Sequence, residues 1–374
     1  MDNKQDTWLC AAQVFDGTRL LADHAVQVVD GVVAGIAPQS GLAKGAKRRK
    51  IDGIIMPGFF DIQVNGGGNV LFNSQPNKAG LAKIYAALQK AGTSHWLPTV
   101  ISDSPEVLAA ACDAIIKNIG TMGIAGIHIE GPHIALERKG THNSRWIRPF
   151  DAHSLTQITR LRRRNIPVLL TVAPEALKKG EVAKLAAMGV VVSIGHSNAN
   201  AALAAQAIAE GARLFTHLFN AMSQIESRDP NVVGTAINSD CYCSIIADGV
   251  HVAPELLRLA TRARPVENRM ILVSDAMPTV GGAASFALYG EVIRLESGRL
   301  INSEGALAGA HITLLEEIHN MVHLVGQPLE QVLRMATGNP ASLMQLSPAI
   351  GHIAIGQQAD LIVIDKTLTK LRRP

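Results

Sequence analysis

Aromatic side chains are scarce in this 374-residue chain, 4% of positions, and the scarcity bears on function. Its short basic runs, Lys44 to Lys50, Arg160 to Arg164 and Lys370 to Arg373, have no interleaved aromatics. Stacking platforms for single-stranded nucleic acid are therefore not apparent, and the runs read as solvated surface. Charge of either sign is nearly balanced, 35 Lys and Arg against 31 Asp and Glu, so no polyelectrolyte partner is indicated. Cysteine is also sparse. Cys10, Cys112, Cys241 and Cys243 follow neither a disulfide framework nor a C-x-x-C spacing, and the polar start Met1 to Asp6 does not read as a secretory leader. A reducing, cytoplasmic setting is expected. No apolar run reaches the length of about 18 residues that a membrane span needs. The 47% hydrophobic content then belongs to a large buried core.

What is present is organised in two styles. Ala25-Val-Gln-Val-Val29 and Val32-Val-Ala-Gly-Ile36 alternate around Asp30-Gly31, a hairpin signal. From Met56 onward, apolar runs alternate with segments of helical period. Eight runs, near 59–64, 94–100, 124–130, 167–172, 189–195, 213–217, 243–248 and 270–275, predict an α/β fold, a (β/α)8 barrel spanning 56–349. A hairpin around Ser297-Gly298 interrupts the later part, between Gly290-Glu-Val-Ile-Arg-Leu295 and Arg299-Leu-Ile301. The strand-like end, through Leu361-Ile-Val-Ile-Asp365, is expected to rejoin the beginning. Residues 1–55 and 350–374 would then form one small β-sandwich domain.

The chemistry sits at the C-terminal ends of the barrel runs. Glu130 closes the apolar strand of Gly126-Ile-His-Ile-Glu-Gly-Pro132, where a carboxylate is costly to bury without a cation or strong donors. His196 and His217 close two later strands. Each alone would read as a hydrogen-bonded core histidine, but together with Glu130 they can hold one divalent ion with a position left for water. Asp275, ending Ile271-Leu-Val-Ser-Asp275, is placed as general base and then acid. His142 and His251 lie in loops just beyond strands and could hydrogen-bond a polar substrate. Arg228, in Glu226-Ser-Arg-Asp229, is either a surface arginine or a planar fork for a phosphate. This set describes a metal-dependent hydrolase.

Seven motifs in order carry a family resemblance: Met56-Pro-Gly-Phe-Phe-Asp-Ile-Gln-Val-Asn-Gly66, His128-Ile-Glu-Gly-Pro132, Lys139-Gly-Thr-His-Asn143, Ile194-Gly-His-Ser197, Thr216-His-Leu-Phe-Asn-Ala-Met222, Ala247-Asp-Gly-Val-His251 and Leu272-Val-Ser-Asp-Ala276. The chain resembles the N-acetylglucosamine-6-phosphate deacetylases of the amidohydrolase superfamily. The resemblance implies metal ligation by Glu130, His196 and His217, and proton transfer by Asp275. It further implies His142 near the acetamido carbonyl, and Asn220, Ala221, His251 and Arg228 near a 6-phosphate. Arg228 would reach the neighbouring subunit of a homodimer, and Leu307, Ala308 and Gly309 would cover the acetyl end. Where most amidohydrolases carry His-x-His, this chain has Gln63-Val-Asn65, whose neutral amides are poor zinc ligands. One ion per chain is therefore expected, zinc first, with iron, cobalt or manganese as alternatives. The family commonly ends in a further hairpin; here little chain follows Asp365, and a shortened small domain with a less protected edge is expected. The implied reaction converts N-acetyl-D-glucosamine 6-phosphate to glucosamine 6-phosphate and acetate. The galactosamine epimer as substrate, or a non-catalytic sugar-phosphate binder on the same scaffold, are the competing readings.

Overall fold

The computed structural model describes residues 6–374, so the first five residues of the expected small domain and leader reading lie outside it. Eight parallel strands follow one another in chain order: Phe59–Val64, Thr93–Ile101, Ile127–Glu130, Val168–Val172, Val191–Ile194, Leu214–Phe215, Tyr242–Ile245 and Met270–Leu272. A parallel bridge between Val64 and Ala276 closes the first strand onto the chain leaving the eighth. The seam is reinforced from inside, where buried Asp61 accepts the Ser274 hydroxyl at 2.5 Å and the Ser274 N–H. Every expected barrel strand is found.

Two-residue periodicity sets what the barrel encloses. Leu97, Leu169, Val191 and Leu214 form one apolar layer with Ile271 and Val273. Two residues further along the same strands stand Thr99, Thr171, Ser193 and Thr216, all buried. Their hydroxyls make a chain: His128 bridges Thr99 (3.1 Å) and Thr171 (2.8 Å), and Thr216 bonds both Thr171 (2.8 Å) and Ser193 (2.5 Å). Each buried hydroxyl thus has a partner, as burial requires. The next layer toward the C-terminal ends is the candidate site.

Helices pack outside, started by local signals. Asn77 caps Lys78–Lys90 through Gly80 N–H, Ser104 precedes the Pro105–Asn118 helix, and Thr313 with Glu316 forms a capping box on Leu314–His323. Among the described residues no helix is long and apolar enough to cross a membrane.

The chain ends meet in one six-stranded sheet. Arg48–Pro57 lies inside it, parallel to Thr7–Phe15 on one side and antiparallel to Leu361–Ile364 on the other. The edge expected to be less protected after Asp365 is extended by a short final hairpin, in which Leu371–Arg372 pairs with Ile364 and Val363. The Ser297-Gly298 hairpin is also larger than expected, since Ser285–Leu288 adds a third strand. That strand turns Phe286 and Leu288 inward onto one apolar cluster, an alternation of only two positions.

Candidate active site

Four site residues stand where strands stop. His196, His217 and Asp275 have φ of 48°, 34° and 45°, in the left-handed region that non-glycine residues rarely adopt. Their strands break one or more residues earlier than the apolar runs suggest. The reversal turns these side chains over the barrel mouth, and strain of this kind concentrates at functional positions. Glu130 instead ends its strand regularly and is followed by Gly131 at φ 77°, where a Cβ would collide with Ser102 Oγ.

The three residues expected to share an ion form a tight triangle. His217 Nε2 lies 3.1 Å from Glu130 Oε1 and 3.1 Å from His196 Nε2, and His196 Nε2 lies 3.4 Å from Glu130 Oε1. Ligands about 2.0–2.1 Å from a tetrahedral ion are separated by about 3.3 Å, so this donor set fits a zinc-type ion. Burial alone would raise the Glu130 carboxyl; the facing His196 and His217 outweigh it and hold it well below the usual range. His196 Nδ1 donates to the Arg138 carbonyl at 2.8 Å, which fixes its tautomer and leaves the Nε2 lone pair facing the triangle.

Glu130, His142 and His196 also bring one donor atom each within 4.8 Å of one another, a wider grouping. The tighter set is the better ion site. His142 Nδ1 accepts from the Ser102 N–H (3.4 Å) and is bonded to the Ser102 hydroxyl (2.7 Å), which leaves the proton on Nε2. Burial, then the neighbouring His196, pushes His142 down to about 3. Its ring is neutral, and its Nδ1 lone pair is taken up by Ser102.

Asp275 stands across an amide from Glu130. Gln63 Nε2 donates to Glu130 Oε1 at 3.0 Å and to Asp275 Oδ1 at 3.1 Å, and Asn65 Nδ2 donates to the same Asp275 oxygen at 2.6 Å. The Gln63-Val-Asn65 triplet thus supplies hydrogen-bond donors where histidines would supply lone pairs. Burial and the nearby Glu130 charge push the Asp275 carboxyl up to about 7.

A cavity of about 310 Å³ opens over these groups. It is lined by His142, Asn220, Ala221, His251, Leu307 and Gly309 as well as the four central residues. His251 Nδ1 is held by Asp248 Oδ2 at 2.6 Å. Burial would raise the Asp248 carboxyl, but the His251 bond keeps it below its usual range. Ala308 is buried between its two lining neighbours, its N–H bonded to Leu300 O at 2.9 Å. Gly309, φ 66°, admits no side chain, because a Cβ would strike Met277. Arg228 does not line its own chain's cavity; it is exposed on the loop before the Asn231–Asn238 helix. Arg138, Glu137 and Thr141 line the cavity without having been singled out from the sequence. Their only signal was adjacency to Gly140-Thr-His142.

The amidohydrolase family profile matches residues 54–373, nearly the whole of the chain beyond its first strands. This chain belongs to the amidohydrolase family. Among relatives of this amidohydrolase, the N-acetylgalactosamine-6-phosphate deacetylase of Shewanella sp. (strain ANA-3) is 36% identical, over 94% of this chain and 92% of its own. The N-acetylglucosamine-6-phosphate deacetylase of Haemophilus influenzae is 32% identical over 92% and 91%. In structure, the N-acetylglucosamine-6-phosphate deacetylase from Pasteurella multocida superposes with a TM-score of 0.90 at 30% identity, covering 97% of this chain and 96% of that one.

Proposed function

We propose that this amidohydrolase removes the acetyl group of N-acetyl-D-glucosamine 6-phosphate, giving glucosamine 6-phosphate and acetate. The observation that carries the reading is the Glu130, His196 and His217 triangle with Asp275 one amide away. A divalent ion held by those three, zinc first and iron, cobalt or manganese next, would polarise the amide carbonyl and lower the pKa of the attacking water. Asp275 takes a proton from that water as its oxygen bonds to the carbonyl carbon. The same carboxyl returns the proton to the nitrogen as the carbon–nitrogen bond breaks, so one residue serves as base and then acid. His142 Nε2–H donates to the carbonyl side of the substrate, and Leu307 to Gly309 close over the acetyl group. Asn220, Ala221 and His251 face the phosphate end. A pure binding protein would have no use for a proton acceptor beside a ligand triangle.

The galactosamine epimer is the second reading, favoured by the Shewanella relative's higher identity, 36% against 32%. Acetate release from the two epimers, with metal content measured on the same preparation, tests both. The expected result is one ion per chain and a higher kcat/KM for the glucosamine compound. Acetate from neither compound in metal-loaded protein sinks the deacetylase reading.

We also place Arg228 in a neighbouring subunit's site. Supporting this is its exposed loop, on which Ile225 is 51% exposed, an apolar contact beside a free-standing cation. Mixed with Asp275→Asn chains, Arg228→Ala chains should recover activity, since a hybrid dimer holds one site with both native residues. No recovery in verified hybrids removes the donation between subunits. All four cysteines are buried free thiols, which supports a reducing, cytoplasmic location.

A further inference from the structure

A phosphate dianion bound in the cavity needs a fixed positive charge, and histidines near neutral pH supply one only in part. Among the cavity-lining residues Arg138 is the only lysine or arginine. Lys139 beside it is engaged elsewhere, 3.1 Å from Glu304. Arg228 faces solvent.

Arg138 is tethered at two points. Its carbonyl accepts from His196 Nδ1, and its Nε donates to Asn198 Oδ1 at 2.9 Å. Asn198 is itself fixed, its N–H donating to Glu175 Oε1 at 2.5 Å. The adjoining Ser197 N–H donates to Ala221 O at 3.1 Å, so the loop that anchors the guanidinium backs the Asn220-Ala221 segment. Among the described residues Arg138 joins no ion pair, and neither terminal guanidinium nitrogen has a protein partner. A planar fork held at Nε with two free N–H groups is the geometry that takes an anion's oxygens in a bidentate pair.

We propose that Arg138 is the cation this chain itself supplies to the phosphate of its substrate, acting in cis where Arg228 acts from the neighbouring subunit. The proposal rests on the sugar-phosphate deacetylase reading and names the residue that sets its preference for a phosphorylated sugar. Its backbone carbonyl orients a metal ligand while its side chain holds the far end of the substrate.

The test measures binding, which needs no turnover. Calorimetric titration of metal-loaded protein with glucosamine 6-phosphate and with inorganic phosphate is compared for native protein, Arg138→Ala and Arg138→Gln, and KM is measured for N-acetylglucosamine with and without the 6-phosphate. Both variants should bind the phosphorylated compounds roughly tenfold to a hundredfold more weakly. Their KM for the phosphorylated sugar should rise by a similar factor, and the unphosphorylated sugar should change by less than about twofold. Arg138→Lys should restore part of the affinity, having the charge without the fork. Unchanged phosphate affinity in both variants, or equal losses for the two sugars, overturns the proposal. Native protein that binds phosphate through Arg138 yet releases no acetate would instead overturn the deacetylase reading.

Discussion

Glu130 and Asp275 are two buried carboxylates separated by a single glutamine amide, and their surroundings pull them apart. Glu130 faces two imidazoles and is held well below the usual carboxylate range. Asp275 faces neutral amides and the charge of Glu130, and is pushed up to about 7. One corner of the site favours a permanent anion, suited to holding a cation. The other favours a carboxyl that exchanges its proton near neutrality. Pairs of acids whose environments separate them mark ligand and acid–base roles, and here Gln63 touches both members. It gives each a hydrogen bond without contributing a charge or a lone pair to either.

The comparison can be broken at one end and at its middle. Asp275→Asn should leave the metal bound and lower kcat by roughly two to four orders of magnitude, because both proton transfers are lost. Near-native turnover with full metal content would take Asp275 out of the reaction. Gln63→Leu removes the shared donor without adding charge, and should lower activity or metal affinity about tenfold to a hundredfold, as loss of a partner to a metal ligand does. A variant with native kinetics and native metal retention would show that the amide is filler.

The smallest expected effect sharpens the comparison with a third carboxyl, Asp61, which lies deeper and has no ligand role. Burial raises it from 3.8 to about 7 despite its bonds to Ser274 and Gln63. A folded-state pKa above the unfolded one costs nothing below about pH 4, where both states are protonated. The cost grows as pH rises from about 4 to 7, reaching on the order of a few kcal/mol. Asp61→Asn can keep the Ser274 contacts, its amide oxygen accepting the N–H and its NH2 donating to the hydroxyl. The variant should therefore flatten stability against pH across that window, read from urea midpoints. An unchanged slope would show that Asp61 stays ionised in the fold.

The eight barrel strands, and the placing of Glu130, His196, His217 and Asp275 at their ends, were legible because two-residue alternation and apolar runs are local properties. So was the neutrality of Gln63 and Asn65. What those amides do was not legible, since their partners lie 67 and 210 or more residues away. Arg138 was hidden for a similar reason. Its importance comes from a carbonyl facing His196 and a side chain facing Asn198, contacts separated by about 60 residues that no spacing rule encodes. The third strand of the 285–301 insert was missed because its alternation has only two inward positions, Phe286 and Leu288.

The sheet shared by the chain ends has a consequence for synthesis on the ribosome. Thr7–Phe15, the neighbour of Arg48–Pro57 on one side, is translated before it, but the neighbour on the other side, Leu361–Ile364, comes roughly 300 residues later. At about 5–20 residues per second, the backbone donors and acceptors along that strand stay without their native partner for roughly 15–60 s. Throughout that interval the nascent chain presents an open β template built from Ile54, Ile55 and Met56, side chains that end fully enclosed. The pairing of Leu361–Ile364 is what retires it.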